Sequence, residues 1–181
     1  MNLSVIHDNT IIDILLIQYD KFTDHRGYLA EVFNTKILTP YIDQQFVQEK
    51  TALSYYGVLR GLHYQTYPFQ QGKLVRCIIG SILDIAVDIR KESKTYGQYV
   101  THTLSETNNL MMYIPPGFAH GVLCLSKPQA IFSYWTTNDH SKYHEHGLNW
   151  SDPKLNIQLP ISIQDIILSD KDKELPYLET I

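Results

Sequence analysis

The chain has 181 residues, of which 44% are hydrophobic and 19% charged, and its formal net charge is −4. This length predicts one domain, the composition excludes a disordered chain, and the acidic balance disfavours a general nucleic-acid binder. No run reaches the ~18 apolar residues of a membrane helix, and the start lacks a signal-peptide pattern, so we expect a cytoplasmic protein without a membrane partner. Cys77 and Cys124 lie in apolar runs, which predicts buried free thiols.

Short apolar stretches separated by turn residues recur along the chain, a spacing typical of a β-sandwich or closed barrel. A polar turn over 22–28 is flanked by Arg26 and Glu31, which by themselves predict a solvated salt pair. A short helix is expected over 35–43, and a short helix or an extended cover over 162–169. Strands are predicted, in chain order, over 11–18, 29–33, 46–54, 57–65, 74–79, 82–89, 98–104, 110–114, 122–125 and 130–136.

The clearest predicted hairpin joins the strands at 74–79 and 82–89. The Gly-Ser pair at 80–81 favours a two-residue type II′ turn. Because successive side chains of a strand alternate between faces, the branched apolar residues of the second strand share one face. Asp84 and Asp88 share the other, which must meet solvent or a polar cavity.

Three groups suited to chemistry follow one another within a run that otherwise resembles buried strand. The planar guanidinium of Arg60 is suited to phosphate, and the imidazole of His63 to general base catalysis near neutral pH. The ammonium of Lys73 can stabilise a developing oxyanion, and the phenol of Tyr134 can give or take a proton. His63 alone is a weak signal, and the set together favours an anion-binding, proton-transferring barrel.

The parity of this strand raises a structural condition. Arg60 and His63 are three residues apart, so a regular strand points them to opposite faces. Both can reach one cavity only if the strand bulges between them, and Gly61 is the residue that tolerates a bulge.

The histidines also suggest a metal site, built from His63, His120, His140, His144 or His146. However, His63 has no second His or Glu two residues further on, the spacing that metal-binding barrels commonly use. The last three histidines lie in a polar segment, where scattered surface histidines are the simpler interpretation. A catalytic metal is therefore disfavoured.

Seven stretches, taken in their order and spacing, carry a family resemblance over nearly the whole chain. They are residues 22–27, 57–65, 72–73, 83–90, 115–121, 134–137 and 168–172. With these stretches the chain resembles the dTDP-4-dehydrorhamnose 3,5-epimerase family.

The resemblance implies an all-β double-stranded β-helix (a cupin jelly roll) with short peripheral helices. We expect a single domain over 1–181, with an N-terminal arm over about 1–50 and a C-terminal cover over about 150–181. The implied activity is inversion of C3, C5 or both in a dTDP-linked 4-keto-6-deoxy-hexose, by proton removal and return through an enolate. Family members are homodimers and use no metal or organic cofactor.

The resemblance also implies a role for each matching residue. His63 matches the catalytic base, Asp170 the carboxylate paired with it, Tyr134 the acid on the opposite face, and Lys73 the cation beside the C4 keto oxygen. Ten further positions are expected to bind the substrate or its nucleotide: Arg26, Glu31, Gln48, Lys50, Arg60, Asp84, His120, His140, Glu145 and Lys171.

The chain departs from the family at four positions. Lys50 places a charge where an amide is usual, Thr51 replaces a histidine, and Trp135 stands where a lysine is common. His140 occupies a position often held by a tyrosine near the sugar. These departures leave open whether one centre or both are inverted.

Two other classes of function stay open at this point. One is a metal cupin that uses His63, His120 and another histidine. The other is a non-catalytic jelly roll that binds a sugar nucleotide, against which the complete acid–base set argues.

Overall fold

The computed structural model describes residues 3–181. Most elements in this range are β-strands, with two short α-helices and two 3₁₀ turns. No helix in this range is long and apolar enough to span a membrane. The strands are β1 (Leu3–His7), β2 (Leu15–Tyr19), β3 (Lys21–Asp24), β4 (Gly27–Ala30), β5 (Gln48–Tyr55), β6 (Leu59–Gln65), β7 (Lys73–Ile79), β8 (Ser81–Asp88), β9 (Tyr99–Ser105), β10 (Leu110–Ile114), β11 (Phe118–Cys124), β12 (Gln129–Thr136) and β13 (Glu145–Gly147). The helices are α1 (Thr35–Leu38) and α2 (Asp170–Lys173), with 3₁₀ turns at Ile163–Asp165 and Leu178–Thr180.

Two antiparallel sheets face each other across the core. The six-stranded sheet has the order β1-β2-β10-β7-β12-β5, and the five-stranded sheet the order β13-β6-β11-β8-β9. Strands β3 and β4 form a separate hairpin. This is the expected all-β double-stranded β-helix with short peripheral helices, and the fold prediction is confirmed.

The inner faces of the sheets meet in one apolar cluster. Val75 and Phe132 of the six-stranded sheet pack in it with Ala86 and Val122 of the five-stranded sheet, and all are buried. Cys77 and Cys124 lie in the same cluster as buried free thiols, as predicted. The barrel interior is therefore apolar and close-packed along much of its length.

The outer faces are covered as well. The apolar outer side chains of β8 pack with residues of the C-terminal segment, including Leu155 and Ile157. On the other sheet, Leu38 and Ile42 around α1 pack onto outward residues of β7 and β10. Strand β8 is thus covered on both faces, which explains its nearly continuous burial.

The hairpin predicted between 74–79 and 82–89 is wrong, because the two strands belong to opposite sheets. Strand β7 pairs with β10 and β12, whereas β8 pairs with β9 and β11. Gly80, with φ of +81°, turns the chain from one sheet to the other. A glycine turn between two apolar runs can make such a corner as well as a hairpin, and local sequence does not distinguish them.

The strand predicted over 11–18 exists only in its second half. Before it, the Asp8 carboxylate accepts hydrogen bonds from the backbone amides of Thr10 and Ile11, which folds the chain into a turn. Ile11 and Ile14 are nevertheless fully buried. Their apolar character reflects a buried turn at the end of the barrel.

Asp88 organises the loop that follows β8. Its buried carboxylate accepts hydrogen bonds from Arg90 Nε at 2.9 Å, Ser93 Oγ at 2.6 Å and Thr95 Oγ1 at 2.6 Å. Burial raises the pKa of Asp88, but these bonds outweigh it and lower the pKa to about 2. Because the folded pKa lies below that of the unfolded chain, the network stabilises the fold above about pH 4 and is lost as the pH falls toward 2.

We expect Asp88→Ala to lower the free energy of unfolding by about 3 kcal/mol at pH 7, because Arg90 Nε and two hydroxyls lose a buried anionic acceptor. Urea unfolding measures the change, and the deficit should shrink at pH 3. Asp13→Ala is the matched control, since this half-exposed carboxylate also binds Arg90 and should cost less than about 1 kcal/mol. Equal costs for the two variants would contradict the prediction.

Candidate active site

A cavity of about 510 Å³ lies between the two sheets, and we call it the main cavity. Its polar lining consists of Arg60, His63, Lys73, His120, Tyr134, Ser169, Lys171 and Asp172. Its apolar lining consists of Ala52, Val58, Leu59, Val122, Phe132, Ile167 and Leu168.

A bulge in β6 brings Arg60 and His63 to the same cavity. His63 lies opposite His120 and Arg60 opposite Val122, so β6 has two residues between these pairs where β11 has one. Gly61 in the bulge has φ of +116°, and a Cβ there would lie 2.6 Å from the His120 carbonyl oxygen. The predicted bulge is confirmed, and this position admits only glycine without a shift of backbone.

His63 is held by a carboxylate from α2. Its Nε2 lies 2.7 Å from Asp172 Oδ1, and the Asp172 side chain is only 6% exposed. The partner predicted from the resemblance, Asp170, is wrong: its side chain is 99% exposed and pairs with Lys173. Residues two apart on a helix point about 200° apart, so Asp172 faces β6 and Asp170 faces solvent.

Asp172 was missed, although a signal for it exists in the sequence. Ser169 is a typical N-cap residue and accepts a hydrogen bond from the Asp172 amide, so the helix begins at Asp170. Burial raises the pKa of Asp172, but the bond and the charge of His63 hold it below its usual value. An anionic Asp172 only accepts, so Nε2 of His63 carries the proton and Nδ1 is the basic nitrogen.

Lys73 presents an ammonium with a lowered pKa. It is partly buried, and its Nζ donates a hydrogen bond to the His63 carbonyl at 3.2 Å. Burial lowers the pKa of Lys73 to about 8, although the charges of Asp84 and Glu145 raise it. At neutral pH the ammonium is therefore largely charged, although the pH is close to its pKa.

A second imidazole–carboxylate pair lies beside the first. His120 Nε2 is 2.6 Å from Asp84 Oδ1, and both side chains are buried. Burial lowers the pKa of His120 despite the charge of Asp84, so the imidazole is neutral. His120 thus donates a hydrogen bond to Asp84 Oδ1 without adding a second positive charge next to Lys73.

Tyr134 approaches from the opposite wall. It is on β12 of the six-stranded sheet, whereas His63 is on β6 of the five-stranded sheet, and both line the main cavity. Burial raises the pKa of Tyr134, with the charge of Arg60 lowering it and that of Glu145 raising it further. The phenol is therefore protonated at neutral pH and can act as an acid.

A smaller cavity of about 60 Å³ adjoins the first, and we call it the side cavity. It shares His63, Lys73 and Tyr134 with the main cavity. Its other lining residues are Lys50, Tyr64, Gln65, Gln71, His140 and Glu145. The structure thus brings Lys50, His140 and Glu145 to the site, where the Glu145 carboxylate accepts a hydrogen bond from Lys171.

Four predicted substrate-binding positions line neither cavity: Arg26, Glu31, Gln48 and Asp84. Arg26 is at the tip of the β3–β4 hairpin, 78% exposed, and its guanidinium pairs with Asp24 rather than Glu31. The predicted Arg26–Glu31 salt pair is therefore wrong, because the two-residue turn between β3 and β4 places Asp24 beside Arg26. The Gln48 side-chain oxygen is buried and meets no hydrogen-bond partner within residues 3–181.

Three of the five histidines considered as metal ligands pair with carboxylates, whereas His144 Nδ1 bonds Ser141 Oγ and His146 stacks on Tyr64. His63 and His120 are paired with Asp172 and Asp84, and His140 Nε2 is 3.5 Å from Glu145. Within residues 3–181, no group of three or more His, Cys, Asp or Glu side chains is arranged to hold a metal ion.

Fold and site together define a cupin jelly roll with an acid–base cavity that has proton-transferring groups on opposite walls. The family model for dTDP-4-dehydrorhamnose 3,5-epimerase matches residues 8–180. The chain belongs to the dTDP-4-dehydrorhamnose 3,5-epimerase family, and it is therefore an isomerase of the epimerase class.

Individual relatives agree with the family model. The dTDP-4-dehydrorhamnose 3,5-epimerase of Shigella flexneri is 46% identical over 164 residues, which cover 90% of this chain and 89% of that protein. The dTDP-6-deoxy-D-glucose-3,5-epimerase of Legionella pneumophila, solved with dTDP-4-keto-L-rhamnose, superposes with a TM-score of 0.94 at 38% identity, covering 99% of this chain and 95% of that one. A 3′-monoepimerase of Streptomyces bikiniensis, solved with dTDP-quinovose, gives 0.89 at 30% identity, covering 97% and 88%.

Proposed function

We propose that the protein inverts C3, C5 or both in a dTDP-linked 4-keto-6-deoxy-hexose during deoxysugar biosynthesis. One observation carries the proposal: a carboxylate-held imidazole and a protonated phenol line one cavity from opposite sheets, together with an ammonium. Inversion needs a base on one face of the carbon and an acid on the other. The ligand named for the Legionella relative supports the substrate class.

The proposed reaction begins at His63. Its Nδ1 removes the proton from the carbon next to the C4 ketone, and the C–H electron pair moves through the new C–C double bond to O4. Lys73 donates a hydrogen bond to this oxyanion and stabilises it by about 3–4 kcal/mol. Tyr134 then protonates the carbon from the other face, so the centre is inverted, and both side chains regain their protonation states by exchange with solvent.

The diphosphate is proposed to bind Arg60 and Lys171. Both line the main cavity. The guanidinium of Arg60 is oriented by hydrogen bonds from Nη2 to the Leu53 carbonyl at 3.1 Å and from Nε to Ser54 Oγ at 3.0 Å. A planar fork fixed in this way is suited to phosphate oxygens.

The remaining predicted positions have proposed places around the sugar and the nucleotide. Lys50, His140 and Glu145 would contact the sugar from the side cavity and His120 from the main cavity, whereas the buried Asp84 would act through its hydrogen bond with His120. Gln48 is on β5, where its side-chain oxygen is buried, and it would contact the nucleotide.

We further propose a homodimer, in which Arg26 and Glu31 of one protomer reach the nucleotide of the other. Exposed apolar side chains on the β3–β4 hairpin (Phe22, Tyr28 and Leu29) and on the edge strand β5 (Leu53 and Tyr55) support covered surfaces at these elements. A single domain over 1–181 and a cytoplasmic location complete the proposal.

Incubation with dTDP-4-keto-6-deoxyglucose in deuterated water should incorporate deuterium at C3, C5 or both, because the returned proton comes from solvent-exchanged groups. Proton NMR of the recovered sugar measures the exchange. dTDP-glucose is the matched control, since without a C4 ketone its carbon-bound protons are not acidic. Absence of deuterium at both carbons would sink the proposal for this substrate.

A single-centre epimerase is the second candidate. The likeness to the Streptomyces bikiniensis 3′-monoepimerase favours it. The same experiment decides between the candidates, because label at one carbon only identifies a single-centre enzyme.

A further inference from the structure

Glu145 joins the two cavities of the site. It is on β13, opposite Gln65 of β6, and it is the one carboxylate among the residues lining the side cavity. Its Oε2 accepts a hydrogen bond from Lys171, which lines the main cavity. The ion pair therefore connects β13 to α2, the helix that carries Asp172.

The partner of this carboxylate is also a proposed phosphate ligand. A diphosphate next to Lys171 would bring negative charge beside Glu145, and like charges at contact distance disfavour each other. The side chains of Lys171 and Glu145 are 54% and 23% exposed, so their attraction is that of a partly exposed ion pair. A diphosphate that also binds Arg60 gains several charge-assisted hydrogen bonds and is the stronger competitor.

Glu145 has two further neighbours besides Lys171, an imidazole and an ammonium. His140 Nε2 already lies 3.5 Å from its Oε1. The charge of Glu145 also raises the pKa of Lys73, which opens onto the same side cavity. A Glu145 carboxylate that loses Lys171 therefore keeps His140 beside it and still acts on the ammonium of Lys73.

We propose that Glu145 is a positioning residue that forms an ion pair with Lys171 before substrate binds. The diphosphate of the incoming sugar nucleotide then replaces Glu145 as the partner of Lys171. This inference rests on the proposed function, because it takes a nucleoside diphosphate as the ligand. In the free enzyme Glu145 therefore opposes nucleotide binding, and that cost disappears when either partner of the ion pair is removed.

A double-mutant cycle of dTDP affinity, measured by calorimetry, tests the exchange of partners. Glu145→Gln should tighten dTDP binding about three- to fivefold, the size of a partly exposed ion pair. In a Lys171→Met background, the same change should have almost no effect. The KM for dTDP-4-keto-6-deoxyglucose should fall with the dissociation constant, whereas kcat should not rise. Glu179→Gln is the control, since Glu179 pairs with Lys154 away from both cavities and should leave dTDP affinity unchanged.

Three results would overturn the inference. An equal gain with and without Lys171 would indicate general repulsion of the phosphates, and no gain would indicate that Glu145 does not compete. An equal gain for thymidine, which has no phosphate, would place the effect elsewhere in the site. If wild-type protein binds dTDP without this coupling, only the inference fails, whereas a wild-type protein that binds no dTDP contradicts the proposed function itself.

Discussion

Replacing His63 by alanine should lower deuterium exchange and turnover by about 10³–10⁴-fold and leave dTDP binding within about twofold of wild type. A positioned general base contributes about 10²–10⁴ in rate, and the other imidazole of the cavity, His120, is already bonded to Asp84. The dTDP affinity is expected to survive because the proposed phosphate ligands, Arg60 and Lys171, are separate side chains. Exchange followed by NMR and binding followed by calorimetry measure the two quantities.

The two aspartates of α2 provide a matched pair for this prediction. Asp172→Asn should lower kcat by at least about 10²-fold, because an amide can donate to Nε2 and favour the wrong tautomer. Asp170→Asn changes the same atoms two residues away, and should leave kcat within about twofold because this side chain is exposed. Equal losses in the two variants, or full exchange in His63→Ala, would remove the imidazole–carboxylate pair from the mechanism.

The wrong prediction that Asp170 pairs with His63 shows that a family pattern does not determine which side of a short helix faces the barrel. The stretch 168–172 contains both aspartates, and a match of stretches does not say which of them faces the barrel. The capping serine at 169 sets the first residue of α2, and helical periodicity then turns Asp172 inward. Cap chemistry and periodicity together place the two aspartates on different sides of the helix, and the packing of α2 on β6 selects Asp172.

The bulge at Gly61 could be predicted from the residues themselves. Two functional groups three residues apart in a strand conflict with the alternation of faces, and a glycine between them resolves the conflict. The hairpin predicted at Gly80 was wrong because a glycine turn between two apolar strands can form either a hairpin or a corner between two sheets. Alternation determines which side chains share a face, whereas the partners of a strand depend on contacts distant in the sequence, such as those of β7 with β12.

The charge environment of the site was the least predictable from sequence. Glu145 contacts Lys171, which is 26 residues away, and the two are neighbours only because β13 pairs with β6 while α2 packs on β6. The lowered pKa of Lys73 likewise results from burial inside the barrel, which depends on how the two sheets pack.

Lys73→Met should lower kcat by about 10²–10³-fold, because it removes the donor proposed for the enolate oxygen while keeping the length of the side chain. The pH dependence of wild-type kcat/KM, which reports groups of the free enzyme, should fall on the alkaline side with an inflection near the pKa of about 8. The sign follows from the charge: the ammonium is present below this pH, and the neutral amine above it cannot compensate an oxyanion.

Lys73→Arg separates charge from shape. A guanidinium stays protonated, so the residual activity of this variant should show no alkaline fall near pH 8, although its bulk lowers the rate. A wild-type kcat/KM that stays flat to about pH 10, or a Lys73→Met variant with wild-type kcat, would exclude Lys73 as the stabilising cation. An alkaline limb that persists unchanged in Lys73→Arg would assign the titration to another group, of which Tyr134, whose pKa is raised by burial, is the first to examine.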